Sequence, residues 1–264
     1  MTEHDKSIDF DRVARYYDAH VRTDLDLGFW IEQCRRHAGP HVELMCGTGR
    51  ISLAILRAGI ELCCVDYSAQ LLARLQAKLA AEPELSTRAK LICGDVRELA
   101  LDRPYGFAFV GFHAIAELAE PEDLRRALER IAAALAPGGV VMLSMHEPRV
   151  RGPQCNGEWV ELGTHPIPEQ PDATVEVRGR WVLESSTGGL VTGEQVYIER
   201  DANGVERAWV ELPIRFRLYE PSLVEALARE VGLAPREQFG GYELPPTPPS
   251  ASSRVRIASF VRPT

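Results

Sequence analysis

Ten residues, His41-Val42-Glu43-Leu44-Met45-Cys46-Gly47-Thr48-Gly49-Arg50, carry the clearest chemical signal in the chain. A short apolar run enters a glycine turn and leaves it as a helix. That sets backbone N–H groups and a helix N-terminus beside one point in space, where a nucleotide-like ligand fits. Asp66 closes a second apolar run, 19 positions after Gly47, where an acid accepts from ribose hydroxyls. Gly94-Asp95-Val96 closes a third run and offers a carboxylate beside the place of an adenine. Candidate proton acceptors stand where later runs end: His113, Glu117 one helical turn on, and His146, with Arg149 just beyond.

A parallel sheet would bring these residues together. Strand-like runs at about 41–45, 60–65, 90–93, 106–112 and 140–145 alternate with helical patterns. The helices are read at 50–58, at Leu71, Leu72, Leu75 and Leu79, and at Leu124, Leu128, Ile131 and Leu135. Gly59 is placed to end the first of them and Ala136-Pro137-Gly138-Gly139 the third. Upstream, Phe10, Val13, Ala14 and Tyr17 predict a helix over 9–21 with Asp9 as its cap, followed by a second over about 25–37. Residues 148–172, rich in Pro, Gly and polar side chains, read as an irregular loop. From 174 to 219 the period becomes two. Turn chemistry at 185–189 and 201–204 then predicts a three-stranded antiparallel meander. A helix with Leu223, Val224, Leu227 and Val231, then strands at about 235–242 and 254–262, complete the chain.

The whole chain narrows the options. At 264 residues with 45% hydrophobic composition it can build one large α/β core with an insertion. A net charge of −8 without a basic run argues against a nucleic-acid partner. No segment approaches the roughly 18 apolar residues that span a bilayer, and MTEHDKSIDF has no apolar signal core. The six cysteines, none in a C-x-x-C or Cys/His metal spacing, read as reduced, structural and cytoplasmic, with no metal site.

Three details separate a dinucleotide fold from the alternative. The third glycine of G-x-G-x-x-G is absent after Gly49, Gly94-Asp95 sits at the third strand tip, and Pro-Gly-Gly introduces the fifth strand. With these the chain resembles the class I S-adenosylmethionine-dependent methyltransferases. The matching segments are Glu43–Arg50, Cys64-Val-Asp66-Tyr67-Ser68, Cys93-Gly-Asp95-Val96 and Leu135–Met142. The resemblance implies a Rossmann-like, doubly wound seven-stranded sheet whose last strand is antiparallel, here with a small antiparallel β insertion. It implies an N-terminal helical lid (1–40), a cofactor-binding core (41–147), the insertion (148–218) as acceptor lid or dimer contact, and a closing helix and strand pair (219–264).

The cofactor implied is S-adenosyl-L-methionine, released as S-adenosyl-L-homocysteine. By the same resemblance Glu43 and the backbone of Met45, Cys46 and Gly47 receive its methionine part, with Gly49 in the turn. Asp66, beside Tyr67, takes the ribose; Asp95 and Gly94 meet the adenine amino group, with Val96 on the ring. Tyr16 and Tyr17 lie over the cofactor and Gly111 beside it. Met45 departs from the family, which commonly has glycine there, as does Gly106-Phe107, where many members have an acid.

The activity implied is N-methylation of a small amine such as an amino sugar or secondary metabolite, by a monomer or homodimer. His113, His146 and Glu117 are the catalytic candidates. A small-molecule O-methyltransferase is the alternative; a nicotinamide-dependent oxidoreductase and a non-catalytic cofactor-binding protein are more distant ones. Trp159, Trp181, Tyr197 and Trp209 of the insertion lie where similar enzymes build an acceptor lid or dimer contact; Trp181 and Trp209 could equally form the small sheet's own apolar face. Arg215 and Arg217, alternating with Phe216, could meet an anionic substrate group or a solvated face.

Overall fold

The computed structural model of the chain describes residues 7–184 and 188–264. Residues 1–6 and the Ser185-Ser186-Thr187 part of the expected 185–189 turn lie outside the described residues. A single 3-10 turn, Phe10–Val13, leads into α1 (Ala14–His20) and α2 (Leu27–Arg36). Asp9 does not cap with its side chain; its carbonyl instead accepts from the Arg12 N–H at 3.2 Å, which starts the tighter 3-10 turn. Next come β1 (His41–Leu44), α3 (Arg50–Arg57), β2 (Leu62–Asp66), α4 (Ala69–Ala81), a short α5 (Pro83–Ser86) and β3 (Ala89–Cys93). Then follow β4 (Tyr105–Val110), α6 (Pro121–Ala134), β5 (Leu135–His146) and α7 (Pro148–Arg151). The antiparallel strands are β6 (Val160–Ile167), β7 (Gln170–Leu183), β8 (Leu190–Arg200) and β9 (Glu206–Arg217). The chain closes with α8 (Pro221–Glu230), β10 (Ala234–Phe239) and β11 (Val255–Val261).

Seven strands form one sheet in the order β10-β11-β5-β4-β1-β2-β3, with β11 antiparallel to both neighbours. Every residue of β2 is buried, because helices cover both faces of a parallel sheet. Leu124, Leu128, Val224 and Leu227 of α6 and α8 pack on one face. Phe29, Trp30, Leu56, Leu72 and Leu75 of α2, α3 and α4 pack on the other. β2 starts two residues later than its apolar run, since the N–H of Ile60 caps α3 on the Ile55 carbonyl after Gly59 turns left-handed (φ 82°). The Ala136–Gly139 stop is itself strand, pairing with the C-terminal edge through Gly138 N–H to Arg262 O (2.9 Å).

The loop expected over 148–172 is the main correction. It holds α7 and the whole of β6, so the meander has four strands, β6-β7-β8-β9, and β7 begins at Gln170. β6 is an edge strand carrying Gly163 and Pro166 with two register shifts, and its residues are mostly not buried. Those features erase the alternating pattern that reveals a strand. The inner face of this sheet, with Val175, Val177, Tyr197, Leu212 and Phe216, packs on Val13, Tyr16 and Ala19. The helix α1 is thus held between the two sheets.

Candidate active site

A cavity of about 290 Å³ opens above the C-terminal ends of β1, β2, β4 and β5. Its floor is the glycine turn. Met45 (φ 58°), Gly47 (φ 57°) and Gly49 (φ 80°) are all left-handed, so the chain reverses within five residues. For Met45 that backbone is a strained one, costing roughly 1–2 kcal/mol that glycine would not incur. Its side chain reaches the walls of both this cavity and a narrower neighbouring pocket of about 40 Å³. Gly49 shapes the turn from behind and does not line the cavity. A Cβ there would meet Leu75 Cδ1 at 2.3 Å.

Asp66 ties the turn to the second strand. Its carboxylate accepts from the N–H of Gly47 at 2.7 Å and from the N–H of Ser68 at 2.9 Å. The Tyr67 N–H acts on it as well, which leaves part of its lone-pair capacity for a ligand. Ser68, not Asp66, caps α4, accepting from Leu71 N–H at 3.0 Å. Glu43 is buried and takes a 2.5 Å bond from Ser52 Oγ. Glu117 faces the junction of the two pockets. Burial pushes Asp66 upward and lifts Glu43 and Glu117 to about 8, with Asp66 adding repulsion to both. Burial thus disfavours the charged form of all three.

The narrower pocket is lined by Gly94, Asp95 and Val96 with Tyr67 and Ile8. Asp95 is held by Arg97, whose backbone N–H donates at 2.8 Å and whose guanidinium pairs at 2.6 Å, and this pair keeps the carboxyl below its usual range.

The N-terminal elements are latched onto this floor. Thr48 Oγ1 donates to Asp18 at 2.6 Å, and Lys78 bridges Asp18 and the Thr48 carbonyl at 2.8 and 2.9 Å. Ser68 Oγ donates to Asp11 and Tyr67 to the Ile8 carbonyl. Arg50 makes a bidentate pair with buried Asp26 at 2.5 and 2.9 Å and lies over the Phe112 ring at 4.5 Å. The adjacent tyrosines separate as neighbouring helical residues must. Tyr17 lines the cavity. Tyr16 points the other way, stacks on Tyr197 at 5.8 Å and donates to Glu199 at 2.7 Å. It does not reach the cavity.

On the opposite wall β4 ends in two consecutive left-handed residues, Phe112 (φ 46°) and His113 (φ 63°). Such strain outside glycine is found where a side chain must be aimed. Here it stacks His113 on His146 with ring centres 4.1 Å apart and brings His113 Nδ1 to 3.1 Å from Ser144 Oγ. Ser144 Oγ is in turn 2.5 Å from the Tyr242 hydroxyl. Burial lowers His113 to about 4 and holds His146 well below its ordinary value, with Arg151 adding to both effects and His113 to that on His146. Both rings are neutral near pH 7. Gly111, Cys46, Trp181, Tyr197 and Phe216 also line the cavity.

Other expectations change. Arg149 is 59% exposed and pairs with Glu147. Arg215 pairs with Glu120, and Arg217 donates to the carbonyls of Ala119 and Gly188 (2.6 and 2.7 Å), so neither faces the cavity. Trp159 and Trp209 are on the outer face, 44% and 46% exposed. Sequence reasoning missed Arg151, which does line the cavity.

Residues 42–139 match the family model for the methyltransferase domain. The chain thus carries a methyltransferase domain. A carboxy-S-adenosyl-L-methionine synthase from Geobacter metallireducens is 32% identical over 112 residues, 40% of this chain and 45% of that protein. The chain thus matches less than half of that relative's length. Among solved structures, the CcbJ methyltransferase from Streptomyces caelestis shares the fold at TM-score 0.77 and 20% identity, over 96% of this chain and 97% of that one. The sugar N-methyltransferase KedS8 from Streptoalloteichus sp does so at TM-score 0.70 and 19% identity, over 94% and 91%. Among the described residues no helix is long and apolar enough to cross a membrane, and no cluster of three or more metal-type side chains occurs.

Proposed function

We propose that this chain methylates the nitrogen of a small-molecule amine. When bound, S-adenosylmethionine supplies a sulfonium-activated methyl carbon, and the new N–C bond forms as the C–S bond breaks. The donor set suits that cofactor. Glu43, Asp66 and Glu117, raised by burial, favour its two positive centres, and Asp66 keeps lone pairs for ribose hydroxyls. Gly94, Asp95 and Val96 make a narrow slot for adenine, with Tyr67 and Met45 at its mouth. Tyr17, Cys46, Gly47 and Gly111 flank the methionine end. Residues 1–40 act as the lid, 148–218 as the acceptor roof, and 219–264 complete the core around 41–147.

The observation that carries the nitrogen reading is the stacked pair His113–His146, held neutral with His113 at about 4. A base that weak is a poor acceptor for the proton of an alcohol. It does favour a neutral amine, whose lone pair needs no base, and it places no positive charge beside the methyl carbon. The fold neighbour KedS8, a sugar N-methyltransferase, supports the same reading. Six unpaired cysteines, five of them buried, suit a reducing, cytoplasmic setting.

The test is production of S-adenosylhomocysteine across matched amine and alcohol acceptors. Turnover confined to amines, and retained in His113→Ala, is expected. Turnover confined to alcohols, with a pH-dependent limb that vanishes in His113→Ala, would establish O-methylation instead.

A further inference from the structure

We propose that the acceptor carries an anionic group, a carboxylate or phosphate, and that Arg151 receives it at the far end of the cavity. This inference rests on the methyltransferase reading above. The cavity is electrically lopsided: its carboxyls, Glu43, Asp66 and Glu117, gather at the glycine turn, and Arg50 there is already paired with Asp26. Arg151 stands at the other end beside the two histidines. It forms no ion pair within 4.0 Å among the described residues. Its Nε is buried without a partner, and its Nη1 donates only a neutral bond to Gln154 Oε1 at 3.0 Å. The guanidinium lies 4.8 Å over the Trp181 ring, which holds it against the wall.

A guanidinium part-way out of water without a counter-ion is costly, and a planar fork with free donors matches a carboxylate or phosphate. A second opening of about 340 Å³ joins the cavity here, sharing His20, Arg151, Trp181 and Gln195. The body of a larger acceptor has room there, with its anion on Arg151 and its amine toward His113 and His146. His20, the other titratable group of this junction, is buried with its pKa lowered, so it supplies no competing charge near pH 7. The titratable groups nearest Arg151 are thus the neutral imidazoles of His113, His146 and His20 and the Cys155 thiol, whose pKa burial raises. Docking an anion also cancels the field that Arg151 imposes on both rings.

Charge-only pairs of probes test this: benzoate against benzamide for the carboxylate source, and phenyl phosphate against phenol for the phosphate source. Each is titrated by ligand-observed NMR into the full chain saturated with S-adenosylhomocysteine. In the native protein at least one anion should bind roughly tenfold or more tighter than its neutral partner. The pair that shows the preference names the source. Arg151→Met should bring that ratio to within about twofold, and Arg151→Lys should restore part of it. S-adenosylhomocysteine affinity, measured alongside, reports that each variant is folded. Equal binding of anion and neutral probe in the native protein, or a preference that survives Arg151→Met, overturns the proposal. Failure of the native chain to bind S-adenosylhomocysteine would instead overturn the methyltransferase reading.

Discussion

Three glycines with left-handed backbones separate strain from crowding and from ligand contact. Gly47, Gly49 and Gly59 have φ of 57°, 80° and 82°. Alanine at each incurs roughly 1–2 kcal/mol of backbone strain, offset by about 0.4–1 kcal/mol of reduced freedom in the unfolded chain. At Gly59 the new methyl meets nothing within 4 Å, so Gly59→Ala should cost about 1 kcal/mol. At Gly47 the nearest atom is the Tyr17 hydroxyl at 3.6 Å, an ordinary contact, so the cost should again be about 1 kcal/mol. At Gly49 the methyl falls 2.3 Å from Leu75 Cδ1 and 3.1 Å from its Cγ. Leu75 is fully buried and has nowhere to swing, which adds about 1–3 kcal/mol of overpacking. Gly49→Ala should therefore cost about 2–4 kcal/mol. Equilibrium urea unfolding by circular dichroism at pH 7.5 reads these values. Affinity for S-adenosylhomocysteine reads the other half: Gly47→Ala should lose roughly tenfold or more, and Gly59→Ala nothing beyond about twofold. Equal stability costs at 49 and 59, or an unaffected affinity in Gly47→Ala, would refute the placement of this turn.

The remaining predictions concern the walls of the cavity. Glu117 is raised from 4.5 to about 8, so it retains a proton in the fold that it loses when unfolded. Its favourable contribution is complete below pH 4.5 and fades as the pH rises through about 8. Glu117→Gln should thus stabilise the protein at pH 9 by about 2 kcal/mol, and not at pH 4, in thermal or urea melts. A dry interior would give more, but this carboxyl faces the cavity. Equal melts of the two proteins at pH 9 would contradict its burial. Tyr16→Phe should cost about 1 kcal/mol, since Glu199 loses one donor but keeps Arg15 at 2.9 Å, and should leave S-adenosylhomocysteine affinity unchanged, whereas Tyr17→Ala should weaken that affinity. The reverse ranking would show that the tyrosine orientations are exchanged. Met45→Gly removes left-handed strain and opens the wall shared by both pockets. Calorimetry should find S-adenosylhomocysteine bound more tightly by about 1 kcal/mol, and weaker binding would mean that the methionine side chain contacts the ligand favourably.

The α/β core was legible because its strands are buried on both faces and its helices carry uninterrupted apolar stripes. Leu71, Leu72, Leu75 and Leu79 all face inward as their spacing requires. The floor of the site was legible for a related reason: glycines and acids at strand tips have few other uses. What stayed hidden depends on tertiary contacts. β6 lies at an edge and is broken by Gly163 and Pro166, so no period marks it. Which of two adjacent tyrosines faces the ligand follows from the small sheet that stacks on Tyr16. Arg149, Arg151, Arg215 and Arg217 are equivalent as sequence. Three are satisfied by Glu147, Glu120 and main-chain carbonyls, and only the fold leaves Arg151 inside. The left-handed pair Phe112-His113 carries little sequence signal: Phe disfavours that backbone, and His adopts it more often than most residues but still uncommonly.

On the proposed reading, S-adenosylmethionine occupies the cavity above the glycine turn. Titration calorimetry of the full chain with S-adenosylhomocysteine, and separately with NADH, tests it most directly. One-to-one saturable heat with S-adenosylhomocysteine and none with NADH is the predicted result. Binding of NADH with no heat from S-adenosylhomocysteine would contradict it.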